Sequence, residues 1–313
     1  GEGRCAQHHT EAQSHARECS AHLSEGRRGQ RGYAAPRDMN ILFASSEVAP
    51  FAKTGGLGDV GSALPRALAA EGHDVRVVMP MYARVKGAGR VFTEVIPELW
   101  LDLGGTRVKV SIYECPLPGT KVPVYFVRCP PLYDRPSLYG NSPDEHLRFS
   151  VLNWAALKLC QHLRFAPDVV HCNDWQTSLI PLLLRARFSW DRLFANTRTV
   201  LTIHNLGHQG TFPSSVMRET GLQDSWYLFH QDELNAGRLG FLMTGLLYAN
   251  AITTVSPTYA REITTPEYGC GPARAPGPPP QRSDAAAPTA PTAPAPPPRR
   301  PAPRRRRDTS RWR

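Results

Sequence analysis

The chain has 313 residues, 41% of them apolar, with a formal net charge of +10 and a pI of about 9.5. That is long enough for one large α/β domain or two ordinary ones. The apolar runs fall short of the roughly 18 residues that span a bilayer, and the seven cysteines make no C-x-x-C pair, which argues against a membrane span, a zinc ribbon and a disulfide-framed secreted module.

The charge is unevenly spread. From Pro272 onward there are ten Arg against two Asp, so the basic character belongs to a Pro/Ala/Arg-rich tail that cannot bury a core. Residues 1–38 are polar and irregular. They have no apolar h-region, and Glu2, Glu11, Glu18, Glu25 and Asp38 argue against a plastid transit peptide. The expected organisation is a disordered leader over 1–38, a folded domain over 39–271 and a disordered tail over 272–313, in a cytoplasmic protein. An arginine-rich tail attracts anionic surfaces without sequence preference. A single aromatic residue, Trp312 between Arg311 and Arg313, lies among the arginines, too few for a stacking platform, so no specific nucleic-acid partner is expected, nor a membrane. Several cysteines sit in apolar runs, as small buried residues do.

In chain order, Ile41–Ser46 reads as a strand. A glycine-rich turn follows, and then a helix over Gly61–Glu71 with Val60, Leu64, Ala67 and Leu68 on one face. Asp74–Met79 reads as a buried strand. Residues 90–128 alternate in the period of strands, with turns at Gly104-Gly105 and Pro118-Gly119. Helix is expected over Arg148–Phe165, strand over Asp168–Cys172, helix over Gln176–Arg187 and strand over Thr199–His204. A helix over Ala236–Tyr248 and a strand over Ala251–Val255 complete the pattern. Such alternation implies an α/β fold with a doubly wound, mostly parallel sheet.

Ligands of such sheets bind beyond the carboxyl ends of the strands. Four polar clusters fall there: Glu47 to Asp59, His171 to Gln176, His204 to Gly210, and Ser256 to Tyr259. In the first, Lys53 is a cation at the lip of the turn. Gly55 and Gly56 bring bare backbone and a helix N-terminus toward a ligand, an arrangement suited to phosphate. The spacing fits neither G-x-G-x-x-G nor G-x-x-x-x-G-K-[ST], which argues against dinucleotide and Walker chemistry. Trp175, Tyr139 and nearby amides, carboxylates and imidazoles suit a sugar, whose C–H faces lie on aromatic rings and whose hydroxyls need hydrogen bonds.

Lys53-Thr-Gly-Gly-Leu-Gly-Asp-Val60, Pro167 to Trp175, Thr202 to Gly210, Ala249 to Ile263, and Leu132 to Pro136 with Tyr139 together resemble the bacterial glycogen synthases and plant starch synthases. These are the ADP-glucose-dependent enzymes of glycosyltransferase family 5. The resemblance covers about residues 39–270 and implies the N-terminal, Rossmann-like half of a two-domain GT-B enzyme. It implies retaining transfer of glucose from ADP-glucose to the 4-hydroxyl at the non-reducing end of an α-1,4-glucan, glycogen or starch. By the same carry-over His204, Asp174 and Asp59 are catalytic candidates. Lys53, Gly55, Gly56, Tyr139, Asn205 and Gln209 are substrate-binding candidates. No cofactor or metal is implied, ADP-glucose being the donor substrate.

Each residue has a plainer role beside the functional one. Lys53 can be a solvated lysine and Asp59 a favourable charge at a helix start. Asp174 can cap the next helix, and His204 can be a satisfied structural histidine. Trp175 reads as packing, and His171 and His208 as structural. The chain also departs from the family. Only the first GT-B half is recognisable, and residues 140–147 are shorter than usual. The expectation is a truncated synthase, inactive alone; the alternative is a non-catalytic glucan-binding or regulatory fragment.

Overall fold

A computed structural model of the chain describes residues 38–86 and 90–265. The expected leader, Asp38 excepted, and the expected tail lie outside the described residues. Strand β1 (Asn40–Ala44) is followed by helix α1 (Gly56–Ala70) and strand β2 (Asp74–Pro80). Two long strands, β3 (Thr93–Leu103) and β4 (Thr106–Pro116), lead into β5 (Pro123–Arg128). Helix α2 (Glu145–Leu163), β6 (Val169–Asn173), α3 (Ile180–Ala186) and β7 (Arg198–Ile203) come next. A ribbon of β8 (Thr211–Pro213) and β9 (Arg238–Gly240) precedes α4 (Phe241–Tyr248), β10 (Ala251–Thr254) and α5 (Pro257–Glu262).

The main sheet runs β10-β7-β6-β1-β2-β5-β4-β3. From β10 to β5 every pair is parallel, and β4 and β3 add antiparallel edges. Taken in chain order, the parallel strands lie in the spatial order 3-2-1-4-5-6, that of doubly wound nucleotide-binding sheets. The order reverses between β1 and β6, so the loops leaving these two strands diverge to opposite faces and open a crevice between them. The expected α/β class is what the structure shows.

Strands covered on both faces must be apolar almost throughout. Phe43, Ala44, Val77, Val78, Met79, Val124, Phe126, Val170 and Cys172 are accordingly fully buried. Helix α2 is buried nearly all round, from Phe149 to Cys160, as a helix enclosed by other elements must be. The β3–β4 hairpin turns at Gly104 and Gly105, both at positive φ, 68° and 96°, which a two-residue primed turn requires. The four cysteines among the described residues, Cys115, Cys129, Cys160 and Cys172, are free and buried.

Several boundaries differ from expectation. Helix α1 begins at Gly56, not Gly61. Its buried face is Leu57, Gly58, Gly61 and Pro65, whereas Ala67 is exposed. Gly61 lets it lie directly on the carbonyl of Glu47, which a Cβ there would strike. The expected helix over Ala236–Tyr248 is instead strand β9 followed by α4. The start of the helix expected over Gln176–Arg187 is a 3-10 turn, Trp175–Thr177, before α3.

Candidate active site

The loops after β1, β6 and β7 and the segment around Tyr139 enclose a cleft of about 790 Å³ at the switch point. Its walls include Glu47, Gly55, Gly56, Tyr139, Glu145, Asp174, Gln176, His204 and Asn205. Val255, after β10, adds an apolar rim and is half exposed. Sequence segments more than 200 residues apart thus meet at one point, as the strand-end argument requires.

Glu47 organises the first loop. It is 2% exposed. Its Oε2 accepts the backbone N–H groups of Thr54 (2.5 Å) and Gly55 (3.3 Å), and its Oε1 accepts the Thr54 hydroxyl (2.6 Å). Tyr139 donates its hydroxyl to the same Oε1 at 2.7 Å. A phenol has one proton, so Ser46, 2.8 Å from the Tyr139 oxygen, is the donor of that pair. Burial and the Glu47 charge hold the Tyr139 hydroxyl well above its ordinary pKa. Tyr139 is positioned from behind by Arg148, whose guanidinium is fully buried. It donates to the carbonyls of Leu132 (2.8 Å) and Leu138 (2.9 Å) and pairs with Glu145 at 2.6 Å. The short 140–147 connection therefore still delivers Tyr139 to the cleft.

Gly55 and Gly56 stand at the start of α1, and a Cβ built on either meets nothing within 4 Å. Their side-chain space is cleft space, so it is free for a ligand and not for packing. The first amides of the helix face that space without a side-chain cap, as in anion sites at helix N-termini.

Asp174 follows β6 with φ 56° and ψ −174°, a region nearly restricted to glycine that costs about 1–3 kcal/mol and is concentrated at functional sites. Its side chain does not cap the following turn, so the capping role is corrected. Instead Oδ1 accepts the N–H groups of His204 (2.7 Å) and Asn205 (3.3 Å), tying the end of β6 to the end of β7. Burial raises its pKa to about 6, against the lowering effect of those N–H groups.

His204 lies 2.9 Å from Asn173 Oδ1 through Nε2. Asn173 donates its amide N–H to Ala44 O at 3.0 Å, which fixes which end of the amide faces the ring. Nε2 therefore carries the proton and Nδ1 the lone pair. Burial lowers the pKa of His204 to about 4, so the imidazole is neutral at pH 7 and serves as a hydrogen-bond acceptor. Asn205 Oδ1 accepts the Gly207 N–H at 2.9 Å and braces its own loop. Gln209 lines an adjoining depression with Asn141 and Gly207.

Lys53 and Asp59 are placed differently from the rest. Lys53 donates to both Asp59 oxygens at 2.7 and 2.6 Å, so it is a tethered cation, not a mobile one. Both are about half exposed, and neither is among the residues lining the cleft. Asp59 lies in the first turn of α1, where a negative charge is favourable. Trp175 is 7% exposed and packs edge-on against Phe149, Phe212 and Phe241. His171 bonds Thr202 at 2.6 Å beneath the loops. Both have the structural roles expected of them, and His208 lies exposed on the cleft wall.

Glu47, Asn173, Glu145 and Gln176 were not singled out as site residues in sequence. The available signal for Glu47 was an acidic residue straight after an apolar strand and before a glycine turn. Among the described residues no group of three or more His, Cys, Asp or Glu is placed to hold a metal ion. No helix there is long and apolar enough to cross a membrane.

A doubly wound α/β half-site, with its ligand crevice at the switch point and an uncapped helix N-terminus on one wall, is the class of protein that fold and site define. Residues 40–275 match the starch synthase catalytic domain family, Glyco_transf_5, and the chain belongs to that family. It is 44% identical over 244 residues to a glycogen synthase of Myxococcus xanthus, covering 74% of this chain and 49% of that protein. It is 40% identical over 234 residues to a glycogen synthase of Moorella thermoacetica, covering 74% and 47%. The catalytic domain of starch synthase IV from Arabidopsis thaliana, bound to ADP and acarbose, superposes with a TM-score of 0.65. It shares 29% identity over 74% of this chain and 48% of that one. The chain spans about half the length of the curated relatives it matches.

Proposed function

We propose that this chain supplies the acceptor-side half of an ADP-glucose:1,4-α-D-glucan 4-α-D-glucosyltransferase, a glycogen or starch synthase that works with retention of configuration. The observation that carries this reading is the charge of the cleft. Glu47 and Asp174 line it beside Glu145, whose charge Arg148 offsets from behind, and no Lys or Arg is among its lining residues. Such a wall suits neutral hydroxyls and a developing oxocarbenium charge. It does not suit a whole diphosphate, for which it offers only backbone N–H groups and a helix N-terminus. In this reading Tyr139, Asp174 and the His204 Nδ1 lone pair hold the glucosyl unit and the incoming glucan hydroxyl. Gly55 and Gly56 admit the phosphates, and Asn205 and Gln209 shape the loop. Lys53 joins the donor site by leaving Asp59, and neither metal nor cofactor takes part. Most of the positive charge for the diphosphate comes from a second half-site. The reaction belongs to the cytoplasm or, in a plant, the plastid.

The 313-residue chain alone is then expected to show no turnover, because the groups that stabilise the leaving diphosphate are missing. The test is incorporation of labelled glucose from ADP-glucose into glycogen. It uses this chain and a chimera in which residues 39–265 replace the matching part of the Myxococcus xanthus glycogen synthase. Turnover by the chimera and none by the chain is the expected result. A folded chimera without turnover would overturn the synthase reading in favour of a non-catalytic glucan-binding or regulatory fragment, which the half-length match also accommodates. Turnover by the chain alone would overturn the half-site argument.

A further inference from the structure

Trp226 and Tyr227 sit side by side on a 3-10 turn, 55% and 63% exposed, with ring centroids 6.3 Å apart and planes at 89°. Two neighbouring aromatic rings this exposed are costly to leave in water. The backbone beneath them is nevertheless pinned at point after point. Trp154 donates to Thr220 O (2.8 Å), Arg187 to Gly221 O (2.9 Å), Gln231 to the carbonyls of Trp226 (3.3 Å) and Phe229 (2.8 Å), and Tyr248 to Leu228 O (2.5 Å). The rings are thus held out by a fixed frame.

Hydrogen-bonding groups flank them. Arg187 pairs with Asp224 at 3.2 Å, and the Asp224 side chain is 72% exposed. Gln231 spends its N–H groups on the turn, leaving its oxygen as an acceptor. Trp190 is 72% exposed and donates its indole N–H to the Arg187 carbonyl at 2.8 Å. Aromatic faces beside a carboxylate, a guanidinium and an amide are the chemistry of a sugar chain. C–H faces stack on the rings, and hydroxyls bond the polar groups.

The patch is separate from the cleft. Helices α3 and α4 both begin near Trp175, in the cleft wall, and end at Arg187 and Tyr248, which hold the patch. At 1.5 Å per residue, eight residues of helix put about 12 Å between the two places.

We propose that Trp226, Tyr227 and Trp190, with Arg187, Asp224 and Gln231, form a second carbohydrate-binding surface that holds an α-glucan chain away from the reaction site. It rests on the glucan reading above and adds to it an anchoring role: polysaccharide held here raises the local concentration of chain ends at the cleft.

The test is native affinity electrophoresis of the 313-residue chain through gels containing glycogen, with maltoheptaose as soluble competitor. The double variant W226A/Y227A and the single variant W190A are run beside it. With two stacking rings gone, the double variant is expected to bind glycogen about tenfold more weakly, which is about 1.4 kcal/mol. Because the rings are exposed, its thermal midpoint should match the parent's, and maltoheptaose should release the parent chain. Unchanged retardation of W226A/Y227A, or no retardation of the parent, would overturn the surface. So would a dimer on size-exclusion chromatography that W226A/Y227A abolishes, since the rings would then be a protein contact. Turnover by the chimera is measured separately, so the surface can fail while the synthase reading stands, and the reverse.

Discussion

The glycines of the first loop separate residue by residue into two kinds. A Cβ on Gly61 would run into the Glu47 carbonyl, and one on Gly58 would sit 3.0 Å from Lys53 Cβ, whereas Gly55 and Gly56 have open space. G61A should therefore destabilise the fold by about 1–3 kcal/mol, as overpacking does. G56A should leave the midpoint in urea unchanged or slightly raised, since Ala is the better helix former, yet abolish turnover in the chimera. Equal losses of stability in the two variants would refute the assignment. Asp174 carries two costs, a buried charge and a glycine-like backbone. D174N keeps an acceptor for the His204 and Asn205 N–H groups and removes the charge. With the carboxyl raised to about 6, the variant should be more stable by about 2–3 kcal/mol at pH 8, and inactive in the chimera. A destabilised D174N would mean that the raised pKa is not a cost the fold carries.

Among the elements, the strands were the most legible in sequence and the helix starts the least. β1, β2 and β7 were placed to within two residues because long apolar runs between turn residues have few other uses. α1 was begun too late because glycine reads as loop, although Gly56, Gly58 and Gly61 are helical, the last two where the chain packs closely on its neighbours. The β8–β9 ribbon could not be read, since it pairs Thr211 with Gly240 through three-residue strands too short to show a period. In the site, the motif residues were visible by pattern, but what they bond to was not. Asp174 reaches β7 instead of its own turn, and Lys53 reaches Asp59, because both outcomes depend on tertiary placement. Helix α2 offers an element-scale check. Replacing Arg148 with Met leaves Glu145 buried without its cation and frees the carbonyls of Leu132 and Leu138. A loss of about 3–5 kcal/mol is expected, together with release of Tyr139 from the cleft wall. Tyr139 staying protected from solvent in R148M, by hydrogen exchange around it or by quenching, would contradict that role.

At the scale of the whole molecule, acid should unfold the protein in steps set by its buried histidines. His171 and His204 are both lowered to about 4, chiefly by burial. Between pH 6.5 and 4 the unfolded chain holds two protons that the folded chain lacks, and stability falls as pH falls. Asp174, raised to about 6, acts the other way and binds a proton in the folded state first. Two against one leaves a net loss on acidification, of about 1.4 kcal/mol per pH unit near pH 5. H171Q should flatten that slope. A thermal midpoint independent of pH from 6.5 to 4.5 in the parent chain would contradict the linkage.

The position of β1 in the sheet also governs when the site can come into being. β1 lies between β2 and β6 and pairs with both, Ile41 meeting Val75 on one side and Val169 on the other. As the chain leaves the ribosome, β2 can join β1 almost at once, but β6 lies roughly 90 residues further on, which takes about 5–20 s at ordinary elongation rates. Throughout that interval one edge of the apolar strand β1 stands open, the condition under which nascent sheets recruit the wrong partner. The arrival of β6 closes that edge and, by the same contact, brings Asp174 beside the Glu47 loop. Closure of that edge and the first meeting of two walls of the cleft are one event, and the third wall follows when β7 pairs with β6 and brings His204 and Asn205.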